Sequence, residues 1–80
     1  MPRLPQVSGN QVVKLLKSLG YEVVRQRGSH IRLTKSTALG EHKITVPAHL
    51  TLAKGTLTDI LNKVSLWNNI PKEDLLKRLR

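Results

Sequence analysis

Three arginines and one histidine cluster around a glycine in the segment RQRGSHIRLT, residues 25–34. The histidine is His30, and the arginines are Arg25, Arg27 and Arg32. An imidazole can accept a proton near neutral pH, and guanidinium groups bind phosphate and stabilise negative charge that develops on it. Together these groups could bind a phosphodiester and activate an attacking hydroxyl. The alternative is an ordinary solvated histidine among arginines that keep a small domain soluble.

The net charge of the chain favours a polyanionic partner. The 80 residues include 14 Lys+Arg and 5 Asp+Glu, which gives a net charge of +9 and a pI near 10.8. An excess of this size indicates nucleic acid, an acidic protein or both as partners. A chain this short cannot divide a core between two domains, so we expect one domain over residues 1–80.

Composition and spacing exclude other classes of protein. The sequence has no cysteine, so neither disulfides nor a thiolate metal site can stabilise it. Its three histidines lack the short spacing of a zinc site, and we expect no metal, cofactor or small-molecule ligand. No apolar run approaches the roughly 20 residues that cross a bilayer, and residues 1–10 lack the apolar core of a signal peptide. These features predict a cytoplasmic protein that does not contact a membrane.

Two amphipathic helices are expected to support the basic segment. In the first, Ser8 is placed as the N-cap with Gln11 as its capping-box partner, and Gly20 ends the helix. In the second, over residues 54–64, Thr56 and Asp59 form a T-x-x-D capping arrangement. The apolar stripes that would face the core are Val12, Leu15, Leu16 and Leu19, then Leu57, Ile60, Leu61 and Val64.

Between the helices the pattern predicts three short antiparallel strands. These are residues 21–26, residues 29–34 after a turn at Gly28, and residues 43–46 after a polar connection over 35–42. The adjacent Val23 and Val24 indicate a bulge or an edge position in the first strand. Alternation places Ser29, Ile31, Leu33, Ile44 and Val46 on the inner side, and His30, Arg32, Thr34, Lys43 and Thr45 on the open side.

This order of elements predicts an α+β fold of the form α-β-β-β-α. Because each strand is apolar on one side only, both helices should cover one face of a three-stranded antiparallel sheet and leave the other in water. Residues 67–80 form a tail in which Pro71 begins a short C-terminal helix, with Glu73 and Asp74 in its first turn. Its apolar edge packs either on the domain or on a partner, and the sequence leaves both open.

Other polar residues are weaker candidates. Lys54 and Thr56 lie at a helix N-terminus, which attracts phosphate, but they are equally consistent with a solvated lysine and a helix cap. His49 lies in a strand-to-helix turn as a local hydrogen-bonding residue or a secondary participant in catalysis. His42 lies in the polar connection, where we expect it to be solvated. Of the two aromatic residues, Tyr21 is expected in the core and Trp67 against the tail.

Three segments in order resemble the HicA-type, or YcfA-like, toxins over nearly all of residues 1–66: VSGNQVVKLLKSLGYEVVRQRGSH, ITVPAH and KGTLTDIL. HicA-type toxins are the mRNA-cleaving half of bacterial toxin–antitoxin pairs. The resemblance implies a fold like that of double-stranded-RNA-binding domains, ribonuclease activity with His30 as the catalytic residue, and an antitoxin partner. The chain departs from the family pattern in the Ile-Arg-Leu after His30 and in the tail.

These observations lead to one hypothesis and two alternatives. The hypothesis is a metal-independent endoribonuclease that cleaves mRNA, blocks translation and is neutralised by an acidic HicB-like antitoxin. His30 is the base, His49 is a possible secondary residue, and RNA is bound by Arg25, Arg27, Ser29, Arg32, Lys43, Lys54 and Thr56. The alternatives are a non-catalytic double-stranded-RNA-binding module and a basic module that only binds an acidic protein.

Overall fold

The computed structural model describes residues 4–79. The elements are α1 (Gly9–Ser18), β1 (Glu22–Arg27), β2 (His30–Thr37), β3 (Gly40–Pro47), α2 (Lys54–Asn68) and α3 (Lys72–Arg78). The strands form one antiparallel sheet in the order β1-β2-β3. The predicted α+β arrangement, α-β-β-β-α with a further short helix, is therefore confirmed. No helix within the described residues is long and apolar enough to cross a membrane.

The start of α1 follows the predicted capping box. The Ser8 backbone N–H donates to Gln11 Oε1 at 2.8 Å, and the Gln11 N–H donates to Ser8 Oγ at 3.1 Å. The helix ends at Ser18 with Leu19 as its C-cap, and the predicted stop, Gly20, follows with a φ of +102°, in the left-handed region that glycine accepts without strain. Local sequence therefore specifies both ends of this helix.

The start of α2 differs from the prediction. The helix begins at Lys54, its N-cap is Ala53, and no side chain caps it. Thr56 is already the third helical residue, so the predicted capping by Thr56 and Asp59 is wrong. The reason is that Ala53 has an extended backbone and the helix begins at the next residue. The Ala53 carbonyl accepts the first helical hydrogen bond, from the Leu57 N–H at 2.9 Å. Asp59 instead pairs with Lys63 at 2.9 Å.

Strands β2 and β3 are longer than predicted. Most of residues 35–42, expected as a polar connection, pair in the ladder, and the turn is only Ala38 and Leu39. Thr37 Oγ1 accepts from the Leu39 N–H at 3.1 Å and donates to the Gly40 carbonyl at 2.7 Å, which closes the turn. The sequence did not indicate these parts of the strands because their side chains are polar, whereas the pairing is made by backbone hydrogen bonds.

Both main helices cover the same face of the sheet. The residues of β2 and β3 that face them are Ile31, Leu33, Ile44 and Val46, all buried as predicted. In α3, Pro71 is the N-cap rather than the first helical residue. The apolar edge of α3 consists of Leu75, Leu76 and Leu79, which are buried in the same core. The tail therefore packs on the domain, which decides between the two alternatives left open by the sequence.

His42 is buried, and the prediction that it is solvated is wrong. Its side chain is 4% exposed, its Nδ1 lies 2.6 Å from the Tyr21 hydroxyl, and its ring stacks on Trp67 at 4.7 Å between centroids. Tyr21 is in the core as expected, and its hydroxyl also accepts from Asn68 Nδ2 at 2.9 Å. Because β3 extends back to Gly40, the alternation that buries Val46 and Ile44 buries His42 as well.

Candidate functional site

An open cleft of about 420 Å³ lies on the face of the sheet away from the helices, lined by Arg25, Arg27, His30, Arg32 and Thr45. The strand register explains this grouping: Arg27 is opposite His30, Arg25 is opposite Arg32, and Thr45 is opposite Arg32 on its other side. Directly opposed residues point to the same face, with Cβ atoms about 4.5–5.5 Å apart. The sheet thus places three guanidinium groups on the same face as one imidazole and near it.

A bulge in β1 is what orients two of the arginines. The register shifts between Val23 and Arg25, so Val24 has no partner in β2. Val23 is opposite the inward-facing Leu33, and strict alternation would therefore turn Arg25 and Arg27 inward as well. The extra residue reverses the phase and places both arginines on the face that carries His30. The bulge that the adjacent valines predicted is confirmed, and it is a requirement of the cleft.

The end of the sheet that carries His30 is held from two sides. His30 is opposite Pro47, and the next residue of the chain, Ala48, donates its N–H to the Ser29 carbonyl at 2.6 Å. The His49 carbonyl accepts from the N–H of Gly9, the first residue of α1, at 2.9 Å. The turn between β1 and β2, the end of β3 and the start of α1 therefore position His30 together.

The other predicted site residues lie around the cleft rather than in it. Ser29 is exposed in the turn before β2, which begins only at His30, so its predicted place on the inner side of the sheet is wrong. His49 is exposed beyond the end of β3. Both contribute backbone carbonyls to hydrogen bonds. Lys43 lines a neighbouring groove on the same face. Lys54 and Thr56 are in the first turn of α2, in the helical layer on the other side of the sheet, and neither lines the cleft.

The electrostatics of the cleft favour an anion. None of the residues that line it is acidic. The ion pairs found within residues 4–79 are Lys43–Glu41 at 3.6 Å and Lys63–Asp59 at 2.9 Å, so the cleft arginines keep their charge available. The same residues contain no cluster of three or more His, Cys, Asp or Glu side chains that could hold a metal ion. The positive charge offered to a ligand in this cleft is therefore that of guanidinium groups.

Sequence reasoning missed part of this face. Thr45 lines the cleft, and alternation puts it on the open side of the sheet, but it is not among the predicted site residues. Val24, Thr34 and Glu41 line the neighbouring groove with Lys43. Glu41 could not be found because the third strand was predicted to begin at residue 43. The signal that would have found it is the same alternation, continued over the full length of β3.

Comparison with known proteins identifies the family. A family model described as HicA toxin of bacterial toxin-antitoxin matches residues 9–66, which is more than half of the chain. Neither the curated proteins nor the solved structures gave a match. The matched region runs from the start of α1 into α2 and contains the whole lining of the cleft. Proteins of this family are generally ribonucleases that act on mRNA and have a cognate antitoxin. The chain belongs to the HicA family of toxins from bacterial toxin–antitoxin systems.

Proposed function

We propose that this protein is an endoribonuclease that cleaves mRNA and so blocks translation, with His30 as the general base. The observation that carries the proposal is the cleft, in which an exposed imidazole is surrounded by Arg25, Arg27 and Arg32 without a carboxylate. The family supports the same reaction class. The site itself supports the assignment of roles, because it combines a proton acceptor with positive charge on one open surface.

The proposed reaction is an internal displacement at phosphorus. The His30 imidazole takes the proton of a ribose 2′-hydroxyl, and the 2′-oxygen forms a bond to the adjacent phosphorus. The bond from phosphorus to the 5′-oxygen of the next nucleotide breaks, and that oxygen takes a proton from water and leaves as a hydroxyl. The other fragment keeps a 2′,3′-cyclic phosphate, and the His30 imidazolium returns its proton to the solvent. The guanidinium groups stabilise the extra negative charge of the phosphorane. Because the arginines provide that charge, the proposed reaction does not need a metal ion.

The substrate is expected to be single-stranded RNA with little sequence preference. Readers of specific single-stranded sequences stack bases on aromatic side chains. The chain has only two such residues, Tyr21 and Trp67. The Tyr21 ring is buried in the core, and Trp67 lies on α2, where it stacks on the buried His42 ring, so neither ring is on the open face. Recognition on the open face therefore depends on phosphate contacts. Ser29, Lys43, Lys54 and Thr56 are proposed contacts for parts of the RNA outside the cleft.

The cognate antitoxin is proposed to be an acidic, HicB-like protein that covers the cleft. The chain carries a net charge of +9, and the cleft that holds His30 is open and lined by three arginines. An acidic partner on this surface would both neutralise charge and exclude RNA. Since mRNA is the proposed substrate, we place the protein in the cytoplasm.

The deciding experiment compares His30→Ala with the wild-type protein on an mRNA fragment. We expect loss of cleavage while the dissociation constant for the RNA changes by less than about threefold, or roughly 0.6 kcal/mol. His49→Ala makes the same substitution at the possible secondary residue, which is exposed at the same end of the sheet but does not line the cleft. It should retain most of the activity.

Four results would contradict the proposal in different ways. Cleavage by His30→Ala at the wild-type rate would exclude His30 as the base. Loss of wild-type cleavage in EDTA would show that the reaction requires a metal ion. Protection of an RNA duplex without cleavage would favour a double-stranded-RNA-binding module, and indifference to RNA would favour a module that binds only protein.

A further inference from the structure

A second groove continues the His30 cleft along the sheet. It has a volume of about 330 Å³, and Arg25 and Arg32 line both it and the cleft. The side chains that line only the second groove include Val24, Thr34, Glu41 and Lys43. Because Arg25 and Arg32 line both, the cleft and the groove adjoin on the open face of the sheet, and the two together are called the channel here.

The length of this channel exceeds one phosphodiester linkage. Thr34 is four residues beyond His30 on β2, and Lys43 is directly opposite Thr34. At about 3.3 Å per residue, the far end of the channel is roughly 13 Å from His30. A phosphate bound at Lys43 is therefore not the one that the 2′-oxygen beside His30 attacks. It belongs to a neighbouring nucleotide of the same strand.

The far end of the channel has groups that suit such a nucleotide. Lys43 Nζ is 3.6 Å from Glu41 Oε1, and both side chains are mostly exposed. A surface ion pair of this kind is weak, so the ammonium group can exchange the carboxylate for a phosphate. Val24 is 58% exposed and offers an apolar surface to a ribose or base.

Thr34 adds a side-chain hydroxyl to the lining of this groove. Among the described residues, its Oγ1 is the one buried side-chain oxygen or nitrogen without a hydrogen-bond partner. A buried hydroxyl without a partner is unfavourable. A ligand oxygen in the groove would supply that partner after a rotation of the threonine side chain.

We propose that the second groove is a substrate subsite that binds a phosphate of the RNA strand beyond the cleaved linkage. This inference rests on the proposed ribonuclease function and specifies its substrate as a single-stranded oligonucleotide longer than a dinucleotide. Lys43 binds the additional phosphate. Glu41 opposes it by repulsion, so this residue limits affinity for longer strands.

Binding of two non-cleavable 2′-O-methyl RNAs, a dinucleotide and a hexanucleotide, tests the subsite. We expect Lys43→Ala to weaken hexanucleotide binding by roughly 5- to 10-fold and dinucleotide binding by less than about twofold. Glu41→Gln should strengthen hexanucleotide binding about two- to threefold at low salt and leave the dinucleotide unchanged. The dinucleotide has a single phosphate, which the cleft arginines already bind.

Lys63→Ala is the matched control for Lys43→Ala. Lys63 is also an exposed lysine paired with a carboxylate, but it lies on α2, which covers the other face of the sheet. It should leave binding of both RNAs unchanged. If Lys43→Ala weakens both lengths equally, or neither, the subsite is refuted. Failure of the wild-type protein to cleave an unmodified hexanucleotide would instead refute the proposed function, since the binding comparison does not depend on cleavage.

Discussion

Gly9 provides the sharpest test of how the sheet end that carries His30 is positioned. A Cβ atom at this position would lie 1.9 Å from the Pro47 carbonyl oxygen and 2.9 Å from its carbonyl carbon. Both atoms belong to the backbone, so no side-chain rotation relieves the overlap. Gly9→Ala must therefore displace either the start of α1 or the end of β3, and the end of β3 is paired with His30.

This contact, and not helix propensity, decides that Gly9→Ala lowers the stability of the protein. Gly9 is the first residue of α1 and its backbone does not require a positive φ, so alanine would otherwise favour the helix by up to about 1 kcal/mol. The distance from this Cβ to the Pro47 carbonyl oxygen is roughly 1 Å shorter than the closest contacts that real Cβ atoms make. Overpacking costs about 1–3 kcal/mol, and overlap with backbone atoms places this cost at the upper end, so after the helix contribution we expect a net destabilisation of about 2 kcal/mol.

The assay is thermal unfolding followed by circular dichroism, together with RNA cleavage at a temperature where the variant is folded. For a domain of this size, about 2 kcal/mol corresponds to a fall in Tm of roughly 8–16 °C. Gly55→Ala is the matched control, since Gly55 is also in the first turn of a helix and has open space around its Cβ position. It should raise Tm slightly.

Two outcomes would refute this reasoning. One is a Gly9→Ala protein that is as stable as the wild type, because the contact with Pro47 could then not be as close as the structure shows. The other is a destabilised protein that cleaves RNA at the full wild-type rate once folded. That result would mean that α1 and β3 do not position His30.

Two further predictions concern the core. Burial, and secondly the charge of Lys63, lower the pKa of the His42 imidazole, so the folded protein keeps it neutral while the unfolded chain becomes protonated below about pH 6.5. The free energy of unfolding should therefore be fully retained above that pH and fall as the pH drops towards the lowered pKa of the folded state. This fall should be smaller in His42→Gln, and equal falls in the two proteins would contradict the prediction. Leu75 of α3 is fully buried, and Leu75→Ala should cost about 2–5 kcal/mol in urea unfolding. Leu66→Ala, at a residue that is 69% exposed, should change stability by less than about 0.5 kcal/mol, and similar values for the two variants would show that the tail does not belong to the core.

The sequence predicted the features of the fold that depend on local patterns. The capping box at Ser8, the glycine stop at Gly20 and the apolar alternation in β2 each have a short-range physical cause, and each is present in the structure. The ends of β2 and β3 depend instead on pairing between strands, which polar side chains neither require nor prevent. The burial of His42 followed from the same pairing and was missed for the same reason.

The candidate site was predictable where alternation alone decides the face. His30 and Arg32 follow from the period of β2, and the structure places both in the cleft. Arg25 and Arg27 also reach it, but only because the bulge at Val24 reverses the phase of β1. Lys54 was proposed from the general affinity of helix N-termini for phosphate. That argument gives no information on which side of the sheet the helix lies.

The bulge in β1 has a consequence for self-association as well. β1 is an outer strand of the sheet, and the free N–H and C=O groups of a regular outer strand form a template on which another copy can add a strand. The unpaired Val24 interrupts that template, and Arg25 and Arg27 beside it repel a second chain of the same charge. The extra residue in the bulge therefore places Arg25 and Arg27 on the face of His30 and also hinders the addition of another strand at β1.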